Sequence, residues 1–154
     1  MEEIPAWSAA LRSKAQLRKA AKYHLADPSL AAAALNATSV SLAKDFETLG
    51  LLFESAVIHD LQVYTEALSG KVVHYRDSNG KEIDAVLLFP DGSWAGIEVK
   101  LGAAPILEAS EKLKQIAQTI DLPEPKFLAV ITGTGPVAQL DNKVLTFPLS
   151  ALRP

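Results

Sequence analysis

The chain has 154 residues, 49% of them hydrophobic and 21% charged, with a formal net charge of −3 and no cysteine. That length and balance predict one globular domain with a real core. The missing cysteines exclude a disulfide framework and a thiolate metal site. No run of about 18 apolar residues occurs, so no membrane-spanning helix is expected. The acidic start, MEEIPAWSAALRSK, lacks the compact apolar core of a secretion signal, and with the absence of cysteine this predicts a cytoplasmic protein.

The charge is uneven. Residues 1–24 carry Arg12, Lys14, Arg18, Lys19 and Lys22 against Glu2 and Glu3, for +3. The remaining 130 residues hold 10 basic and 16 acidic side chains, for −6. A body of that sign is not an obvious nucleic-acid binder, because neutralising phosphates takes a basic surface. The basic arm can supply part of one, although a solvated amphipathic segment is the plainer reading.

In chain order, residues 8–25 are expected to be helical, or helical and then extended, with Leu11, Ala15 and Leu17 between the basic residues. Asp27-Pro28-Ser29 is a helix start, with Asp27 as cap and Pro28 in the first turn. A short alanine-rich helix over residues 29–36 follows. From about Ser41 to Leu68, apolar residues recur at three- and four-residue steps through Phe46, Leu49, Leu52, Phe53, Ala56, Val57, Leu61 and Tyr64, which predicts a long helix.

The period then changes to two. Residues 71–76, 82–89 and 94–100 read as strands. They are joined by the turn signals Asn79-Gly80 and Pro90-Asp91-Gly92, so they form an antiparallel meander. Helical spacing returns over residues 105–120. Residues 126–132 (KFLAVIT) form a continuous apolar strand, expected to be buried on both faces. Residues 137–140 and 144–147 are expected as short edge strands. The order helix, three strands, helix, strand, plus an added edge predicts a mixed α/β layer fold.

Charge inside two of these strands marks the candidate site. Alternation puts Glu98 and Lys100 on one face of the third strand, with Ile97 and Val99 on the other. In the second strand the same rule groups Asp84 with Val86 and Leu88. The two strands are hairpin neighbours, so Asp84 is expected beside Glu98 on an otherwise apolar face. Burying two carboxylates together costs several kcal/mol per ion, and their repulsion adds to that. A proton, a cationic side chain or a divalent metal can offset the cost. Lys100 supplies one positive charge, whereas a Mg²⁺ supplies two and accepts a few carboxylate oxygens with waters completing its shell. Glu54, at the edge of the long helix's apolar stripe, reaches the same pocket if that helix packs on the meander. On its own it reads as a solvated helix residue.

Glu54, then Asp84, then Glu98-Val99-Lys100 on helix–strand–strand–strand–helix–strand resembles the PD-(D/E)XK nuclease-like superfamily, over about residues 49–132. The resemblance implies a restriction-endonuclease-like core. It implies Mg²⁺ or Mn²⁺ held by Asp84 and Glu98, with Glu54 as a helix-borne acid and the Val99 carbonyl as a backbone ligand. It makes Lys100 the catalytic lysine and hydrolysis of a DNA phosphodiester the reaction. Ile83 stands where the signature proline would be. The stretches KYHLADPSLA, GLLFESAV, YRDSNGKEIDAVL and IEVK are similar, more narrowly, to a domain of unknown function found C-terminal to AAA+-type ATPase modules. No G-x-x-x-x-G-K-[ST] occurs, so the ATPase would be a partner absent from this chain. On this reading residues 1–40 are the remnant of a preceding region and residues 41–154 are the nuclease-like domain.

Two other readings stay open. A nuclease-like module without catalysis would bind nucleic acid or protein and target an ATPase, since fold alone does not establish activity. A structural domain would pair through an exposed edge near residues 137–147 to make a homodimer. The three histidines, His24, His59 and His74, have no helical metal spacing. Arg76 suits a phosphate or a surface ion pair, Trp94 a base or the core, and Gln115 and Gln118 a phosphate or plain surface.

Overall fold

The computed structural model describes residues 1–9 and 16–153. Two short strands, β1 (Glu2–Ile4) and β2 (Lys22–His24), pair antiparallel ahead of three helices, α1 (Pro28–Ala34), α2 (Ser39–Leu42) and α3 (Phe46–Ala67). The meander follows as β3 (Lys71–Arg76), β4 (Glu82–Leu88) and β5 (Trp94–Lys100). Helix α4 (Ile106–Ala117) then crosses to β6 (Leu128–Thr132), and β7 (Ala138–Gln139) and β8 (Leu145–Pro148) complete the sheet. The six strands lie in the order β3-β4-β5-β6-β8-β7. The meander is antiparallel, β5-β6 and β6-β8 are parallel, and β7 turns back along β8. The chain is therefore a mixed α/β protein with the expected element order.

Helix α3 covers one face of the sheet and α4 the other, and strand alternation feeds a core on each side. Val73, Val86, Trp94, Leu128 and Val130 pack with Leu113 and Ile116 of α4. Val72, Ala85, Leu87, Ile97, Val99, Ala129 and Ile131 pack with Val57, Ile58 and Leu61 of α3. Strand β6 contributes to both cores, and every one of its residues is buried, as its unbroken apolar run predicted.

Several local expectations change. The long helix is preceded by a separate turn of helix, because Asp45 caps a new start by accepting the Thr48 N–H at 3.0 Å. Strand β8 is interior rather than an edge, since it pairs parallel to β6 and leaves the two-residue β7 outside it.

The N-terminal segment also differs. Residues 10–15, part of the expected first helix, lie outside the described residues; residues 16–21 hold no helix, with one bridge from Leu17 to Asp77, and residues 22–24 are strand, as the helical-then-extended alternative allowed. Trp7 N–H donates to the His74 carbonyl, His74 N–H to that of Pro5, and Arg18 N–H to that of Arg76. The segment thus satisfies the outer edge of β3, which would otherwise be open to foreign strands. Ile4 enters the core on the α3 side and Trp7 the core on the α4 side.

Candidate functional site

The site lies where β4 and β5 part. Their pairing ends at Ala85↔Ile97, although β4 begins at Glu82 and β5 continues to Lys100. On the other edge of β4, Tyr75 opposes Ile83 and Val73 opposes Val86. Asp84 and Ala85 therefore share the single residue His74, which is a β-bulge. The extra residue breaks the alternation, and Ile83 joins Val86 in the core on the α4 side. Asp84 is taken out of the row with Val86 and Leu88 in which strict alternation placed it. Its carboxylate instead replaces the missing ladder partner: Val99 N–H donates to Asp84 Oδ2 at 2.8 Å.

Glu98 and Lys100 share a face as expected, and Lys100 Nζ donates to Glu98 Oε1 at 2.8 Å. Glu98 is 3% exposed and Asp84 8%. Glu98 and Lys100 alternate with Ile97 and Val99 of the α3-side core and so lie on the α4 side of the sheet. Glu54, half-buried on α3, instead reaches Asp84 from the other side through a residue that the sequence reading passed over. Lys22 of β2 places its ammonium 3.3 Å from Glu54 Oε1 and 4.0 Å from Asp84 Oδ1. His24, two residues on and on the same side of the strand, has Nε2 at 3.9 Å from Glu54 Oε1. That distance is too long for a hydrogen bond, and the buried nitrogen has no partner among the described residues. Lys22, His24 and Glu54 line a recess of about 320 Å³ with Tyr23, Leu51 and Ser55. A larger groove, about 630 Å³, lies between the end of α4 and the starts of β6 and β8; Gln118 lines it, and Glu54, Asp84, Glu98, Val99 and Lys100 do not.

The electrostatics are those of an acid-rich site with too little counter-charge. Burial raises the Asp84 carboxyl pKa above the ordinary range, and Glu54 raises it further. Burial and then Asp84 do the same to Glu98. Burial opposes charge on both lysines, but the acids outweigh it: Glu54 and Asp84 hold Lys22 above the usual lysine value, and Glu98 and Asp84 hold Lys100 there. Lys112 adds a third cation beside Glu98 and Glu82 a fourth acid beside Lys22, and both buried carboxyls still stay raised. Burial and then Lys22 push the His24 pKa below the ordinary imidazole value.

A stability prediction follows. A carboxyl whose folded pKa is raised contributes stability below its unfolded pKa and loses it as pH rises through the folded value. Asp84 and Glu98 therefore weaken the fold at neutral pH. In Asp84→Asn the amide oxygen still accepts the Val99 N–H and the buried charge is gone. Its melting temperature is expected about 2–4 °C above that of the parent at neutral pH, for about 1 kcal/mol. The gap should close as the pH falls towards the ordinary carboxylate range. Scanning calorimetry across pH checks it, and an unchanged or lower melting temperature at neutral pH would mean that the lysines already compensate fully.

Other candidates sit elsewhere. Arg76 is at the surface, 3.7 Å from Glu82. Trp94 is core. His74 Nε2 is 2.9 Å from the Ala20 carbonyl and helps anchor the N-terminal segment. Gln115 is exposed on α4 and Gln118 is exposed at its C-terminal cap. Among the described residues, no group of three or more His, Asp or Glu side chains converges as a ready metal cage, and no helix is long and apolar enough to cross a membrane. The signal that could have exposed Lys22 and His24 is their period-two spacing around Tyr23, which the helical-then-extended reading of residues 8–25 allowed for without singling these two out.

Comparisons with curated proteins and with solved structures return no match. The bulged acid, the splayed strands and the E-V-K end of β5 all fall within residues 49–152, which match the family described as "Domain of unknown function (DUF4143)", and the chain belongs to that family.

Proposed function

We propose that this chain is a metal-dependent phosphodiesterase module of the PD-(D/E)XK nuclease-like type acting on DNA. One observation carries the reading: two buried carboxylates, Asp84 and Glu98, lie at a strand fork close enough to act on each other's charge, with Lys100 bonded to Glu98, and remain under-compensated. The donor set suits a hard cation. The carboxylates of Asp84 and Glu98, with the Val99 carbonyl and Glu54 behind them, are all oxygen donors. A site with two close carboxylates matches Mg²⁺ or Mn²⁺, which keep several waters. Such an ion, when bound, polarises a phosphate oxygen and lowers the pKa of a bound water. The chain's own residues do the rest. The Val99 N–H holds the Asp84 carboxylate, Glu98 holds Lys100, and the Lys100 ammonium is placed to stabilise charge developing on the phosphate. The reading extends to a cytoplasmic ATPase-containing assembly, with the ATPase as partner and this domain as its DNA-acting end.

The test is nicking of supercoiled DNA by pure protein with Mg²⁺ or Mn²⁺ against a chelator control. Metal-dependent nicking supports the reading, and its absence on supercoiled, linear and single-stranded DNA removes it. The close Lys100–Glu98 and Lys22–Glu54 pairs favour one second reading, a nuclease-like binding module without catalysis. That module would take up no Mn²⁺ in calorimetry.

A further inference from the structure

We infer that Lys22 is a built-in counter-ion which competes with a divalent cation for Glu54 and Asp84, so that the β1-β2 strand pair sets the metal affinity of the site. The inference rests on the metal-binding reading above. Lys22 is the residue that links the acid of α3 to the acid of β4, at 3.3 and 4.0 Å. Its place is fixed from behind. Lys22 pairs with Ile4 across the β1-β2 ladder, and Ile4 is fully buried in the core on the α3 side. The ammonium is therefore held over the acids by packing as well as by attraction.

Lys100 does not play this part, because it is committed to Glu98 at 2.8 Å from the far side of the fork. A metal ion bonded to Asp84 Oδ1 or Glu54 Oε1 would stand within a few ångströms of the Lys22 ammonium. Two cations that close repel, and burial weakens the screening between them. Either the ion binds weakly or Lys22 swings out into the adjoining recess, which its own side chain lines. A partner that lifts the β1-β2 strand pair would then raise metal affinity without touching a ligand.

The test is Mn²⁺ titration by isothermal calorimetry of the full chain and three variants. Lys22→Met keeps the length and apolar stem of the side chain and removes the charge. It should bind Mn²⁺ about tenfold more tightly than the parent, within the usual range of coupling between sites. Lys22→Gln should do the same if Met disturbs folding, and Lys22→Arg should stay near the parent. The rise in melting temperature on adding Mn²⁺ should follow the same order. Equal or weaker binding by Lys22→Met and Lys22→Gln, with clear binding by the parent, overturns the competition and leaves the metal site standing. No binding by the parent or any variant overturns both.

Discussion

Lys100→Ala is expected to lower metal-dependent DNA nicking by about 10³-fold, within the range that one positioned catalytic group supplies. The argument is geometric. Lys100 ends β5 just past the point where β4 leaves, two residues from Glu98 and on its face, and its pairing with Glu98 outweighs burial and holds its pKa above the usual lysine value. It is not an acid ligand, so its loss should not weaken Mn²⁺ binding. Removing a positive charge beside two under-compensated carboxylates should leave that binding unchanged or tighter. Lost nicking with retained Mn²⁺ uptake therefore separates a catalytic lysine from one that only holds the site together. Lys100→Arg is not a silent control, because a planar fork replaces a point charge. Nicking by Lys100→Ala within about threefold of the parent would remove the catalytic role argued from positioned groups.

Trp94→Ala is expected to cost about 3–5 kcal/mol of folding stability, typical for emptying a large aromatic site. Trp94 starts β5, is 2% exposed and packs in the core on the α4 side. Its indole N–H donates to the Pro123 carbonyl at 2.9 Å, and its ring lies 5.1 Å from that of Trp7. The substitution thus opens a cavity, orphans a carbonyl and loosens the N-terminal segment in one step. Against a typical total of about 5–15 kcal/mol, the loss leaves a marginal fold. Urea denaturation followed by circular dichroism should show a much lower midpoint with a similar slope. Trp94→Phe should cost far less, because most of the ring volume stays and chiefly one hydrogen bond, about 1 kcal/mol, is lost. A loss below about 1 kcal/mol for Trp94→Ala would place the ring outside the core, since large-to-small core changes cost more.

The elements that periodicity decides were legible in the sequence. Three short runs at period two joined by glycine turns made the meander, and the apolar run at the end of the next loop made β6. Glu98 and Lys100 fell on one face because β5 is regular. Asp84 was legible as a residue and not as a direction. A bulge adds one residue and reverses the alternation beyond it, and nothing in E-I-D-A-V marks it. It shows only in the register against β3, which is a long-range property. Lys22 was hidden for a related reason. Its neighbours are alanines and basic residues with no clear period, and its extended form is set by Ile4 and by the edge of β3, a pairing between distant stretches of chain. The N-terminal segment was read as a basic tail, whereas its described part carries Ile4 and Trp7 into both cores and the second cation into the site. Strand β8 likewise looked like an edge, because a short strand with intermediate burial gives no local sign that another will cover it.

Diffraction from crystals soaked in Mn²⁺, collected where manganese scatters anomalously, tests the central claim most directly. The account predicts one ion at the fork of β4 and β5, bonded to a carboxylate oxygen of both Asp84 and Glu98 with waters filling its shell and the Lys22 ammonium moved away from Asp84. A fork with no anomalous peak, Lys22 still between Glu54 and Asp84, and Lys100 still closed on Glu98 would contradict it.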